Sequence, residues 1–336
     1  MKHIKLLYLF LLISWSSLPL QAADYLLQSP NGKLTVEIET KGQLSYTLKH
    51  NSQTLLDKSP IGLLLEDKIL GEDIKISRIK RNSSVKEHIV SPHYRLPSFE
   101  VTYNELNLKF KGNYGIIFRA YNEGIAYRFY TTMKGPLIIK DEMVQMNFPK
   151  DYPTLKSYST MPTGEDQYAM AFQNLYTKSS IKGVDTNNIA FLPITIDCGN
   201  ELKMTLLESD LEDYPGMFIK GDGKNTSLQG TFAHYPSEIK NFPPRAMKRI
   251  TKRTDYIART TGERNYPWRI WAITEKDTEM PVNNLVYALA SPNRIGDCSW
   301  IKTGKVAWDW WNDWGISDVD FKAGINMDTY KYYIYF

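Results

Sequence analysis

Leu34-Thr35-Val36-Glu37-Ile38, a Lys41-Gly42 corner and then Leu44-Ser45-Tyr46-Thr47-Leu48 form the stretch on which the fold turns. Apolar side chains fall on every second residue of both halves, the period of a strand with one face buried. Glycine at the corner lets the chain reverse, so a β-hairpin is expected. The pattern returns in Ile116–Ala120, an Asn122-Glu123-Gly124 turn and Ile125–Tyr130. It returns again in Lys203–Leu207 and around Gly221-Asp222-Gly223. Helical periodicity is scarce between residues 25 and 290. Many strands punctuated by Gly, Pro and Asn predict a mainly β domain, a large antiparallel β-sandwich.

At the N-terminus, Lys2 and Lys5 precede the apolar run Leu6–Ile13, followed by Pro19 and the small pair Ala22-Ala23. That order is a secretory signal over residues 1–22, and the run is shorter than the ~20 residues a membrane span needs. A periplasmic or secreted protein with no membrane span after signal removal is expected. Loss of Lys2 and Lys5 lowers the formal charge from +4 to +2. The remaining cations are scattered, which excludes the basic stripe of a nucleic-acid binder. The densest run, Arg245–Arg259, is interrupted by Asp255 and apolar residues and reads as a solvated face. Twenty-two Tyr and 8 Trp are enough to fill a β core and leave rings for stacking on sugars. Cys198 and Cys298 are the two cysteines, and their spacing leaves pairing open.

From about residue 294 the texture changes. Lys305-Val306-Ala307-Trp308-Asp309-Trp310-Trp311 reads as a strand, followed by a loop and then a helix. Asn326 or Asp328 can cap that helix, and Tyr330, Tyr333 and Ile334 share one of its faces. Strand, loop and helix open an α/β domain. Three segments are therefore expected: a signal over 1–22, a sandwich over 23–292, and over 293–336 the first strand and helix of an incomplete (β/α)8 barrel, a fold of ~250 residues.

Two stretches carry chemistry. Thr205–Met217 places Glu208, Asp210, Glu212 and Asp213 just beyond a strand end. Gathered carboxylates suit a hard cation such as calcium, but the segment lacks the glycine-centred loop of an EF-hand, and its spacing alone favours a solvated acidic turn. Trp308–Trp314 mixes indole faces with carboxylates, and strand alternation puts Asp309 and Trp311 on one side. Trp308 and Trp310 then read as packing. Asp309 lies near the strand's C-terminal end, where barrel enzymes build their sites. Lys322 can reach a substrate hydroxyl or remain solvated. The chain contains no nucleophile elbow, zinc-binding HExxH or phosphate-cradling glycine loop. His50, His88, His93 and His234 lack pair spacing and read as surface or satisfied polar residues.

Asn31-Gly32-Lys33, Gly124–Phe129, Glu208–Met217 and Gly304–Lys322 together resemble glycoside hydrolase family 97 over nearly the whole chain after the signal. The resemblance implies an N-terminal β-super-sandwich, a central (β/α)8 barrel and a small C-terminal β domain. It implies an enzyme that removes terminal α-linked sugars from oligosaccharides or glycans with calcium in its site. One branch inverts α-glucosides with a Glu base, and the other retains α-galactosides with an Asp nucleophile. The Trp308–Trp311 wording resembles the retaining branch. Glu208 resembles the calcium ligand supplied by the sandwich, and Asp309, Trp311 and Lys322 resemble substrate-binding residues of the pocket wall. The acid and the base or nucleophile lie on later barrel strands, so no catalytic residue is assigned. The chain as given is expected to be truncated and inactive alone. The competing reading is a secreted, non-catalytic β-sandwich that binds glycans or a partner.

Overall fold

The structure, a computed structural model, describes residues 24–91, 94–160, 166–169, 173–242, 247–302, 304 and 315–335. The signal expected over 1–22 and the candidates Asp309 and Trp311 lie outside the described residues. Residues up to Ser291 form one compact unit and those from Pro292 a second.

The first unit is built from β1 (Tyr25–Gln28), β2 (Leu34–Glu39), β3 (Ser45–His50), β4 (Gln53–Leu65), β5 (Ile69–Leu70), β6 (Ile76–Val90), β7 (Ser98–Phe110), β8 (Tyr114–Tyr121) and β9 (Gly124–Asn147). It continues with β10 (Pro153–Tyr158), β11 (Tyr176–Ser180), β12 (Ala190–Asp197), β13 (Lys203–Ser209), β14 (Met217–Gly221) and β15 (Ser227–Phe232). β16 (Pro236–Phe242) and β17 (Met247–Arg253) form a separate hairpin, and β18 (Ala258–Asn265) and β19 (Trp268–Thr274) return to the main sheet. α1 (Leu285–Leu289) closes the unit. No described helix is long and apolar enough to cross a membrane, which says nothing of spanning by strands.

The opening hairpin forms in the expected register, with Val36 opposite Leu48 and Ile38 opposite Tyr46. β3 begins one residue later than the periodicity indicates, because the Leu44 N–H is held by the Gly71 carbonyl at 2.6 Å. Every strand pairing among the described residues is antiparallel. One run of neighbours is β6-β7-β8-β9-β19-β13-β12, and a second is β1-β2-β3-β4-β9-β15-β14. β9 belongs to both. Its first residues pair with β8 and β19, and its last with β4 and β15. The main core lies between the runs, with Val36, Leu48 and Ile61 from one meeting Ile116, Phe118 and Met204 from the other. Across it the Trp271 indole N–H donates to the Tyr46 hydroxyl at 2.9 Å. A second cluster on the other face of β8, β9 and β19 packs Tyr103, Tyr121 and Ile270 beneath Leu285 and Leu289 of α1.

Gly124 shows why the turn between β8 and β9 requires glycine. Its φ is +153°, and an added Cβ would meet the Trp271 carbonyl oxygen at 2.2 Å and Leu285 Cδ1 at 2.6 Å. The basic run is divided in two. Lys248, Arg249 and Lys252 are exposed, as a solvated face requires, whereas Arg253 turns inward and pairs with Asp166 at 2.8 Å.

In the second unit α2 covers Met327–Tyr335. Its cap is Asn326, whose Oδ1 accepts from the Thr329 N–H at 2.9 Å, so Asp328 lies within the first turn. Thr329 is buried, Tyr330 and Ile334 are exposed, and Phe321 meets Tyr332 edge-on at 6.4 Å.

Phe118 is fully buried in the main core against Tyr46 and Tyr127. Phe118→Ala should cost about 3–5 kcal/mol, lowering the urea midpoint at an unchanged denaturant slope. A loss within experimental error would show that the two runs do not close on a common core.

Candidate functional site

β19 reads Trp268-Arg269-Ile270-Trp271-Ala272-Ile273-Thr274, and all seven residues are buried. Alternation turns Arg269, Trp271 and Ile273 to the main core and Trp268, Ile270 and Ala272 to the second cluster. A guanidinium is thereby carried into the sandwich interior, where it must be paired.

Arg269 holds two carboxylates. Its Nε donates to Glu142 Oε1 at 2.9 Å and its Nη2 to Glu142 Oε2 at 2.7 Å, a bidentate fork. Its Nη1 donates to Glu208 Oε2 at 2.6 Å. The Tyr214 hydroxyl also donates to Glu142 Oε2, and the Phe232 ring lies 5.2 Å from the guanidinium carbon. The two acids hold Arg269 firmly protonated against the opposing effect of burial. Burial pushes the Glu208 carboxyl above its ordinary value, and Arg269 and the Met217 N–H oppose that rise without cancelling it.

On the opposite face, the Trp268 ring meets two cations, with the guanidinium carbon of Arg119 at 5.1 Å and that of Arg128 at 4.5 Å. Arg119 also sits 4.3 Å from the Tyr103 ring and donates to Glu105. Arg128 donates to Asp210 Oδ2 at 3.0 Å, and Asp210 Oδ1 accepts from the Ser291 N–H.

The four acids of the 208–213 segment therefore do not converge. Asp210 and Asp213 take left-handed φ values of +63° and +49°, and the turn splays the side chains. Glu208 faces Arg269 and Asp210 faces Arg128, while Arg264 donates to the Glu212 and Asp213 carbonyls. No group of three or more metal-ligating side chains occurs among the described residues. Glu208 Oε2 accepts from Arg269 and, at 3.1 Å, from the Met217 N–H, whereas among the described residues Oε1 accepts only the same N–H at a longer 3.3 Å. Calcium needs 6–8 oxygens, so the described residues fit the contribution of one carboxylate to such an ion and no more.

Lys322 lies in the second unit with its side chain exposed, and its carbonyl accepts from Asn326 Nδ2. His50 and His88 pair with Glu275 and Glu100, and His234 bonds the Thr254 carbonyl. His93 lies outside the described residues. Cys198 is a buried free thiol whose pKa burial pushes up to about 12, and Cys298 is also free.

Sequence reasoning missed Glu142, Arg269, Arg119 and Arg128. One signal was available: a single cation inside the otherwise apolar run Trp268–Ile273 marks a buried ion pair. Its partner Glu142 lies 127 residues away, and no local pattern connects the two.

The profile described as Glycosyl-hydrolase 97 N-terminal matches residues 27–292. A retaining alpha-galactosidase of Bacteroides thetaiotaomicron is 38% identical over 99% of this chain. A probable retaining alpha-galactosidase of Streptomyces bingchenggensis is 24% identical over 84% of it. The chain spans 51% of the first relative's length and 39% of the second's. Among solved structures, a family 97 enzyme of Pseudoalteromonas sp. strain K8 in complex with panose superposes with a TM-score of 0.72 at 20% identity, over 92% of this chain and 45% of that one. That likeness shows the fold.

Removing Arg269 strands two buried carboxylates, so Arg269→Met should cost about 3–5 kcal/mol at neutral pH. Without its counter-ion Glu208 should titrate higher still. A carboxyl with a raised folded-state pKa favours the native state below its unfolded value, here 4.5, and loses that advantage as pH rises through the folded value. The deficit of Arg269→Met should thus be small near pH 4.5 and full at neutrality, read by urea unfolding across that window. A deficit independent of pH would show that Glu208 does not depend on Arg269.

Proposed function

The chain belongs to glycoside hydrolase family 97, and we propose that it contributes the N-terminal sandwich of an exported α-glycosidase that removes terminal α-linked galactose, in preference to glucose, from oligosaccharides. The observation that carries this reading is the 38% identity to a retaining alpha-galactosidase across 99% of the chain. The order of Lys2, Lys5, an apolar run and Ala22-Ala23 supports export to the periplasm or beyond.

In the complete enzyme, Glu208 would present Oε1 as the sandwich's one carboxylate toward calcium. Bound there, calcium supplies positive charge that polarises a sugar oxygen. Arg269 fixes the other oxygen of Glu208 and so sets the direction in which Oε1 points. Trp311 would stack on a sugar face, Asp309 would accept from a hydroxyl, and Lys322 would donate to one.

Hydrolysis requires a proton donor at the leaving oxygen and a second carboxyl group about 5–5.5 Å away for retention or ~6.5–9.5 Å away for inversion. Glu142 and Glu208 share a guanidinium and cannot fill those roles. This chain alone should therefore leave nitrophenyl α-galactoside and α-glucoside uncleaved with calcium present, whereas joined to the remaining barrel it should cleave the galactoside faster. Turnover by the chain alone that vanishes in Asp309→Asn, or a joined enzyme that prefers the glucoside, would overturn the reading.

A further inference from the structure

A cavity of about 560 Å3 lies where β14, β15 and β17 meet the short turn Gln167–Ala169, within the range of small-molecule sites. Thr231 of β15 is half-buried, and burial alternates along β14, which turns Lys220 away from the main core. Asp141 does the same on β9, beside the inward Glu142. Ile250 and Lys252 of β17 line the cavity as well.

Its aromatic wall is rigid. The Tyr168 hydroxyl is 2.8 Å from Thr231 Oγ1, and its ring meets Phe218 edge-on at 5.1 Å. Arg253 lies 5.8 Å from that ring and donates to Asp166 Oδ2 from both Nε and Nη2. That pair cancels its own charge within the wall, and the Lys252 ammonium turns to Glu238 at 2.9 Å.

Three polar groups remain for a ligand. Asp141 Oδ1 accepts from the Glu142 N–H, which leaves Oδ2 without a partner among the described residues. His234 Nδ1 faces the Thr254 carbonyl at 2.9 Å and so donates to it, which leaves Nε2 without a partner among the described residues. Lys220 has no ion pair among the described residues and offers donors. The uncommitted Asp141 oxygen disfavours an anion such as phosphate. A carboxyl, an imidazole nitrogen and an ammonium beside a phenol ring suit a neutral ligand carrying many hydroxyls on an apolar ring.

We propose that this cavity is a carbohydrate-binding site of the sandwich itself, taking a neutral oligosaccharide of two or three sugars, with Asp141 accepting from its hydroxyls, His234 bonding to one through Nε2 and Lys220 donating. The inference rests on the reading that this protein works on oligosaccharides. The test is calorimetry on the full chain with melibiose and maltotriose, and with digalacturonate as the charged comparison. Saturable millimolar binding of a neutral sugar is expected, weakened about tenfold by Asp141→Ala and by Lys220→Ala and unchanged by Lys240→Ala on the exposed hairpin. Thermal unfolding of each variant establishes that it folds, and Lys220→Ala decides the matter if Asp141→Ala does not. No saturable binding, equal affinity in the variants, or preference for digalacturonate would overturn the proposal. The galactosidase reading is tested separately, because turnover by the joined enzyme does not enter the titration.

Discussion

Arg269 sits in the middle of the sandwich with two carboxylates for one positive charge, and the strands around it can satisfy that charge in one register. Glu208 is its direct cross-strand neighbour on β13, close enough for side chains to meet without a bend in the backbone. Glu142 arrives from the far half of β9. A slip of β19 by one residue would turn Arg269 to the other face and drive Trp268 into the main core. Buried ion pairs often add little net stability over apolar packing, because desolvation offsets their attraction. What this one contributes is specificity, since every alternative pairing leaves a charge without a partner.

The same alternation organises the opposite face. Trp268 follows Tyr266 and Pro267 into β19 and presents its indole to Arg119 and Arg128, each of which has its own acid, Glu105 or Asp210. Burial pulls the Arg128 pKa down, and Asp210 opposes that shift. The Arg128 and Asp210 pair then fixes the turn that follows β13, and Asp210 reaches the Ser291 N–H where the chain leaves the sandwich. Glu208 is therefore oriented from both sides, by Arg269 in the core and by the turn two residues later on the outer face. A carboxylate held this way points its second oxygen in one direction.

Strand content and the opening hairpin were legible because period-two burial is a local property, and Val36, Ile38, Tyr46 and Leu48 display it within a span of thirteen residues. The family was legible from short motifs, including the Gly124–Phe129 strand, whose first glycine no other residue could replace beneath the Trp271 carbonyl. The site was less legible. Four acids close in sequence suggested convergence, yet Glu208 faces Arg269 and Asp210 faces Arg128, while Glu212 and Asp213 meet Arg264 through their carbonyls. The pairing of Glu142 with Arg269 depends on β9 crossing from one run of strands to the other, and no pattern local to either residue encodes that crossing. The cap of α2 was legible as a choice between Asn326 and Asp328, and the side chain that reaches the Thr329 N–H decides it.

β9 also links the core to the outer cavity through one peptide unit. Asp141 and Glu142 are consecutive, and the strand's pleat sends them to opposite faces, one to the cavity and one to Arg269. Asp141 Oδ1 accepts the N–H of Glu142, so the backbone that positions the buried acid also aims the outer one. Burial raises the Asp141 pKa, and the nearby Glu142 charge adds to that rise, while His234 and the Glu142 N–H work against it. The Asp141 oxygen left uncommitted can accept from a sugar hydroxyl without any change in net charge. The device that fixes the sandwich register thus also fixes the chemistry of the cavity wall, one residue away.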